Sequence, residues 1–269
     1  ENTDWKIIFY GHDLHFLRLQ REYALKPRTE LLEEIAYFKS MELSVLQKAD
    51  ISYYPSNLEV EEIHKIDDSI PVKAITAYVF SDSVQVEKMT EGREGMLFVG
   101  GFAHPPNEDG VLWFAKEIFP LMRRQLPNLR FRIVGSKPTE KVLALGQQEG
   151  IEVLGFVSDE KLHSLYQESR MVIVPLRYGA GVKGKVVEAL HEGAAILTTP
   201  CGAEGIPGIE EVVAIEGEER EFAKTGALLY QNIPKLREMG QKSLEFVEKA
   251  FSTEAVFEGI REDFGLGKD

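Results

Sequence analysis

The 269-residue chain is poor in cysteine, in basic charge and in long apolar runs, and each shortage removes a class of function. Its one cysteine, Cys201, cannot close an internal disulfide or build a thiolate metal cluster, which favours a reducing compartment such as the cytoplasm. No residue near Cys201 offers a partner base, so it is a poor nucleophile. Lysine and arginine total 31 against 44 acidic residues, a formal net charge of −13. Proteins that bind duplexes carry a basic face, so nucleic acid is not an expected partner. No stretch approaches the roughly 20 apolar residues that cross a bilayer. The glycines at Gly100 and Gly101 run on as Phe102-Ala103-His104 rather than as G-x-G-x-x-G, which disfavours a nicotinamide-dependent oxidoreductase. His12 and His15 lie on either side of Asp13, yet no other His or Cys pair supplies the third ligand a zinc site needs, and no metal is expected.

With 43% hydrophobic residues the chain can bury a large core, and it is organised around residues 172–193, VIVPLRYGAGVKGKVVEALHEG. Residues 171–175 read as a short, fully buried strand closed by proline. Gly179, Gly181 and Gly184 let the following loop take backbone angles closed to other residues, and an amphipathic helix is expected over 183–192. A helix N-terminus carries unpartnered N–H groups and about half a positive charge. Lys183 and Lys185 add two charges, so a diphosphate could be held there without a metal ion. Glu188, a turn and a half into the helix, is placed to accept hydrogen bonds from a ribose. Taken singly, each feature has a plainer reading: the glycine turn as packing, Lys185 and Glu188 as a surface ion pair.

From residue 96 onward strands and helices alternate, with strands over 96–100, 130–134, 151–154, 171–175, 195–199 and 212–215. Six such strands imply a doubly wound parallel sheet in the order 3-2-1-4-5-6, in which the first strand lies beside the fourth. That order sets Gly100 and Gly101 against the glycine loop. Asn107 reads as a helix N-cap, His104 is placed either to approach the phosphates or to pack its own loop, and Glu204 faces the crevice. Before residue 96, a buried strand over 5–10 ends at Gly11-His12-Asp13, helices follow on either side of Lys26-Pro27, and a second strand spans 49–55. Ser56 to Glu59 reads as a helix cap, 71–80 as extended, and the polar stretch 81–95 as a linker.

The central stretch, followed by AAILTTPCGAEGI, resembles the nucleotide-sugar-binding half of the large retaining glycosyltransferase family with the two-domain GT-B fold, glycosyltransferase group 1 or family 4-like. That family carries two glutamates with seven residues between them. Glu188 matches the second, whereas the first falls on Ala180, as in the branch that reads GAGVKGK. MLFVGGFAHPPNEDGVLWFAKEIFP, FRIVG and IEVLGFVSDEKLHSLYQESRMVIVPLR extend the resemblance over 96–264, and GHDLHFLRLQRE is similar to the cleft loop of the family's first domain. The resemblance implies an α/β protein of GT-B type: a partial N-terminal, acceptor-side domain over 1–85, a complete Rossmann-like nucleotide-sugar domain over 86–252, and a helix over 253–269 that returns to the first domain. A full first domain needs something like 150 residues and only about 90 precede Met96, so its first strands are expected to be absent.

The implied activity is transfer of a sugar from a UDP-, GDP- or other nucleotide sugar to a glycan or lipid-linked acceptor. Retention of configuration, no metal or other cofactor, and a place in surface polysaccharide synthesis are expected with it. The implied location is cytoplasmic, at the inner membrane face, with any peripheral membrane contact made by the absent N-terminal part. His12, Lys185 and Glu188 are the expected catalytic residues. Gly100, Gly101, Gly181, Val182, Lys183, Lys185, Glu188 and Glu204 are expected to bind the donor. Donor binding is assigned mainly to the C-terminal sheet. The alternatives are a sugar-nucleotide epimerase on the same fold and a non-catalytic nucleotide-sugar-binding scaffold.

Overall fold

The structure, a computed structural model, describes residues 5–81, 92–261 and 263–265. The first part runs β1 (Ile8–Tyr10), α1 (His15–Leu25), α2 (Thr29–Leu46), β2 (Ile51–Tyr54), α3 (Asn57–His64) and β3 (Val72–Ala74). The second runs β4 (Met96–Val99), α4 (Pro105–Trp113), a π-helical turn (Phe114–Ile118), α5 (Phe119–Gln125), β5 (Phe131–Val134), α6 (Glu140–Ala144), β6 (Ile151–Gly155), α7 (Asp159–Glu168) and β7 (Met171–Val174). It continues as α8 (Gly184–His191), β8 (Ile196–Thr198), α9 (Pro200–Ala203), β9 (Ala214–Ile215), α10 (Glu219–Gln231), α11 (Ile233–Ala250) and α12 (Thr253–Ile260). All strand pairs are parallel, in a three-stranded sheet β1-β2-β3 and a six-stranded sheet β6-β5-β4-β7-β8-β9.

The six-stranded order is the one the alternation predicts, and the side chains show why it is stable. Successive residues of a strand point to opposite faces. Met96 and Phe98, Phe131 and Ile133, and Met171 and Ile173 enter one core with Trp113, Phe114 and Phe222. Leu97, Val134, Val172 and Val174 enter the other, beneath α8 with Val186, Val187 and Leu190. Both faces are covered by helices, so the strands read as unbroken apolar runs rather than as alternating ones.

Differences from the sequence reading lie where tertiary contacts compete with local signals. The first strand is not buried and is only Ile8–Tyr10: as the sheet edge it leaves Ile8 39% and Tyr10 37% exposed. The helix expected to be capped by Asn107 starts at Pro105, because a proline at the first helical position needs no N–H partner. Asn107 is instead buried and donates Nδ2 to the Gly101 carbonyl at 2.7 Å. Ser56 takes the cap position before α3 but makes no side-chain cap bond. Its hydroxyl turns to Glu59 (3.3 Å), whose other oxygen accepts the Leu14 N–H at 2.9 Å. The expected linker falls largely on 82–91, outside the described residues. Beyond α12, Asp263 meets the first sheet, accepting from Tyr53 Oη at 2.7 Å and Lys73 Nζ at 2.6 Å.

Candidate active site

The direction of winding reverses between β4 and β7, and the crevice at the carboxyl ends of such a pair is where open α/β sheets bind ligands. A cavity of about 620 Å³ lies there. Gly100 and Gly101 from the end of β4, Ser136 after β5, and Phe156 and Val157 after β6 form three sides. Gly184, Lys185 and Glu188 of α8 form the fourth, and Tyr78 and Phe80 reach in from the segment after β3. Gly100 is required by close approach: a Cβ there would lie 3.0 Å from both Lys185 Cε and Asn107 Nδ2. One at Gly135 would overlap the Gly100 carbonyl, so the ends of β4 and β5 meet only because Gly135 lacks a side chain.

Lys185 and Glu188 share this cavity and, among the described residues, form no ion pair with each other. Burial pushes the Lys185 pKa down to about 8, with Lys183 adding repulsion. Burial raises the Glu188 carboxyl, an effect opposed by the Tyr166 hydroxyl and Lys185 and reinforced by Glu192. His104, at the cap of α4, is driven down to about 4 by burial and by Lys185, so it stays neutral. The cavity therefore offers one ammonium, the free N–H groups at the start of α8, and a carboxylate one helical turn further on.

The loop between β7 and α8 rests on the first domain. Arg21 of α1 donates to the Gly179 carbonyl and grips the Glu204 carboxylate with both terminal nitrogens, each contact at 2.7 Å. Ala180 is buried in the same apolar cluster as Leu14, Phe16 and Tyr54. Gly181 has φ 67°, and a Cβ on it would sit 2.9 Å from the His12 carbonyl. Buried Asp109 binds Arg177 at 2.8 and 2.6 Å and also holds Lys26, from the turn after α1. Glu204, Arg21, Arg177 and Cys201 line a second cavity of about 560 Å³. Among the described residues no three His, Cys, Asp or Glu side chains gather as metal ligands would. No helix among them is long and apolar enough to cross a membrane.

The family described as Glycosyl transferases group 1 matches residues 93–232, the stretch that builds the six-stranded sheet and most of its cavity. The chain belongs to this family. A glycosyltransferase group 1 chain is similar in sequence to an uncharacterized 44.6 kDa protein in the cps region of Klebsiella pneumoniae, 27% identical over 172 residues, 61% of this chain and 44% of that one. In structure it is similar to TarM of S. aureus, solved in complex with fondaparinux, alpha-GlcNAc-glycerol and UDP, with a TM-score of 0.70 at 12% identity over 96% of this chain and 50% of TarM. It is similar also to WaaG, a glycosyltransferase involved in lipopolysaccharide biosynthesis, with a TM-score of 0.68 at 12% identity over 97% of this chain and 75% of WaaG. The fold is of the GT-B type, and the chain spans about half the length of TarM and less than half that of the Klebsiella protein.

Within this glycosyltransferase fold, Gly100, Gly101, Lys185 and Glu188 meet at one cavity, as the strand order predicts. The other expected residues stand elsewhere. Lys183 is buried and turns its ammonium to the Ala180 and Gly181 carbonyls, holding the loop rather than facing the cavity. Val182 packs in the core beneath α8, and Glu204 is taken up by Arg21 on the far side of the loop. His12 is exposed, its ring edge-on to Tyr10 at 5.4 Å, and touches the loop between β7 and α8 through its main chain. Tyr78, Phe80, Phe156 and the buried Tyr166 that faces Glu188 belong to no sequence motif and join the site only through the fold. The only local signal for Phe156 and Val157 is their place just after β6.

Proposed function

We propose that this chain binds the donor of a glycosyl transfer: a nucleoside diphosphate sugar, whose sugar passes to a glycan or lipid-linked acceptor with retention of configuration. One observation carries the reading. Lys185 and Glu188 enter one cavity of a size suited to a nucleotide and, among the described residues, form no ion pair there, beside a helix N-terminus. In this reading the diphosphate lies on the start of α8 against Lys185, the ribose hydroxyls donate to Glu188, and the base extends toward Phe156 and Val157. As the bond from the sugar carbon to the phosphate breaks, negative charge grows on the leaving diphosphate. A preorganised ammonium and main-chain N–H groups stabilise it, without a metal. His12 is assigned to the acceptor side. The cps-region relative and the lipopolysaccharide enzyme support surface polysaccharide synthesis, at the cytoplasmic membrane face, as the setting.

Titration with UDP and GDP in excess EDTA is expected to show binding, and binding that vanishes with the chelator would overturn the metal-free reading. Glu188→Gln is expected to weaken UDP by about tenfold or more while leaving inorganic pyrophosphate nearly unchanged, since only UDP carries a ribose. Equal losses for both ligands would place Glu188 at the phosphates.

A further inference from the structure

Tyr78 sits where the chain crosses from one sheet to the other. The crossing is anchored on both sides. Ile75 donates its N–H to the Tyr54 carbonyl of β2 at 2.8 Å, and Phe80 donates to the Phe251 carbonyl, after α11, at 2.9 Å. The Phe80 ring stacks on His191 of α8, with centroids 3.9 Å apart and planes 12° from parallel. Between these anchors the Tyr78 N–H is held by Thr76 Oγ1 at 3.2 Å, and its side chain enters the cavity that Lys185 and Glu188 line. The hydroxyl lies directly over the first residue of α8: a Cβ on Gly184 would be 2.5 Å from Tyr78 Oη. Position 184 must therefore be glycine for the phenol to reach the helix N-terminus.

We propose that Tyr78 is a donor-binding residue, its hydroxyl donating a hydrogen bond to the phosphate held at the start of α8. This rests on the donor reading of the cavity and adds to it a contact borne by the crossing segment rather than by the six-stranded domain. Phosphate is the partner because the hydroxyl stands against Gly184, where the free N–H groups begin, while Glu188 lies a full turn further along α8. Burial and the nearby Glu188 charge raise the phenol pKa, so the group remains a donor at neutral pH.

The test is calorimetric titration of wild type, Tyr78→Phe and Lys185→Met with UDP, inorganic pyrophosphate and uridine, with thermal midpoints of the unliganded proteins as a check on folding. Tyr78→Phe is expected to weaken UDP and pyrophosphate alike, by roughly tenfold, and to leave uridine and the midpoint unchanged. Unchanged or tighter pyrophosphate binding in Tyr78→Phe, with loss in Lys185→Met, overturns the role of Tyr78 and leaves the donor site standing. Tighter binding would show that the ring merely obstructs the cavity. A wild type that binds neither UDP nor pyrophosphate overturns the donor reading and this proposal with it.

Discussion

Lys185→Met is expected to make the unliganded protein more stable and to weaken UDP binding by about a hundredfold. Both effects come from one ammonium buried in a cleft where, among the described residues, it forms no ion pair. Its pKa falls from 10.5 to about 8 on folding. At pH 7 the group is charged in the folded and unfolded chains alike, so the whole cost of the buried charge is present. That cost is about 2–3 kcal/mol after allowance for cleft water. As pH rises from 8 toward 10.5 the folded protein gives up the proton while the unfolded chain keeps it, and the cost is lifted: this contribution to stability increases with pH. Affinity for a diphosphate runs the other way, because the neutral amine loses the charge-assisted bond. Urea denaturation and UDP titration at pH 7 and at the top of that window, on both proteins, check the pair of trends. A less stable Lys185→Met, or a wild-type affinity that is flat with pH, would show that the ammonium does not face the ligand.

Removing the Asp109 carboxylate is expected to give the largest loss of stability, about 3–5 kcal/mol for Asp109→Ala at neutral pH. The substitution strands Arg177, which is mostly shielded from water and makes two hydrogen bonds to this carboxylate, and it frees Lys26 of the first domain. Burial alone would raise the Asp109 pKa, but the bonds from Arg177 and Lys26 outweigh it and hold the group below its ordinary 3.8. A depressed carboxylate stabilises above its unfolded pKa and stops doing so as pH falls through the folded one. The gap between wild type and variant should thus be constant from neutral pH down to about 4 and close below that. Chemical denaturation at neutral and acid pH measures it. A neutral-pH loss under about 1 kcal/mol would mean that the cluster behaves as a surface ion pair.

The strand order of the larger domain was legible because alternating apolar runs and helices constrain a parallel sheet to few topologies, and that order alone brings Gly100 to Lys185. Glu188 and Lys185 were legible for a local reason: three residues apart on an eight-residue helix, they share a face wherever the helix sits. Glu204 was placed correctly after β8, yet its partner Arg21 lies on α1, and no local pattern announces a contact so distant in sequence. Lys183 carries the same charge as Lys185, and only the curl of the loop decides which ammonium faces inward. Tyr78 sits in a short stretch with no periodicity, so its arrival over Gly184 is a product of the two anchors and not of its neighbours. Asn107 shows a strong local signal overridden by a proline two residues earlier and by the Gly101 carbonyl.

The seating of Ala180 in the first domain's apolar cluster bears on how such proteins can be recombined. Donor binding is expected mainly of the C-terminal sheet, but the loop from Gly179 to Lys183 is held against α1, the turn at His12 and Glu59. A glutamate at position 180 would be thrust among Leu14, Phe16 and Tyr54, so the small side chain there is matched to the packing of the first domain. A chimera that grafts this six-stranded domain onto a relative's first domain would keep every cavity residue of the sheet and still present a loop cast against the wrong mould. For such a graft to work, α1 and the turn before it must travel with the loop, and the natural boundary for exchange lies within the first domain rather than at the linker.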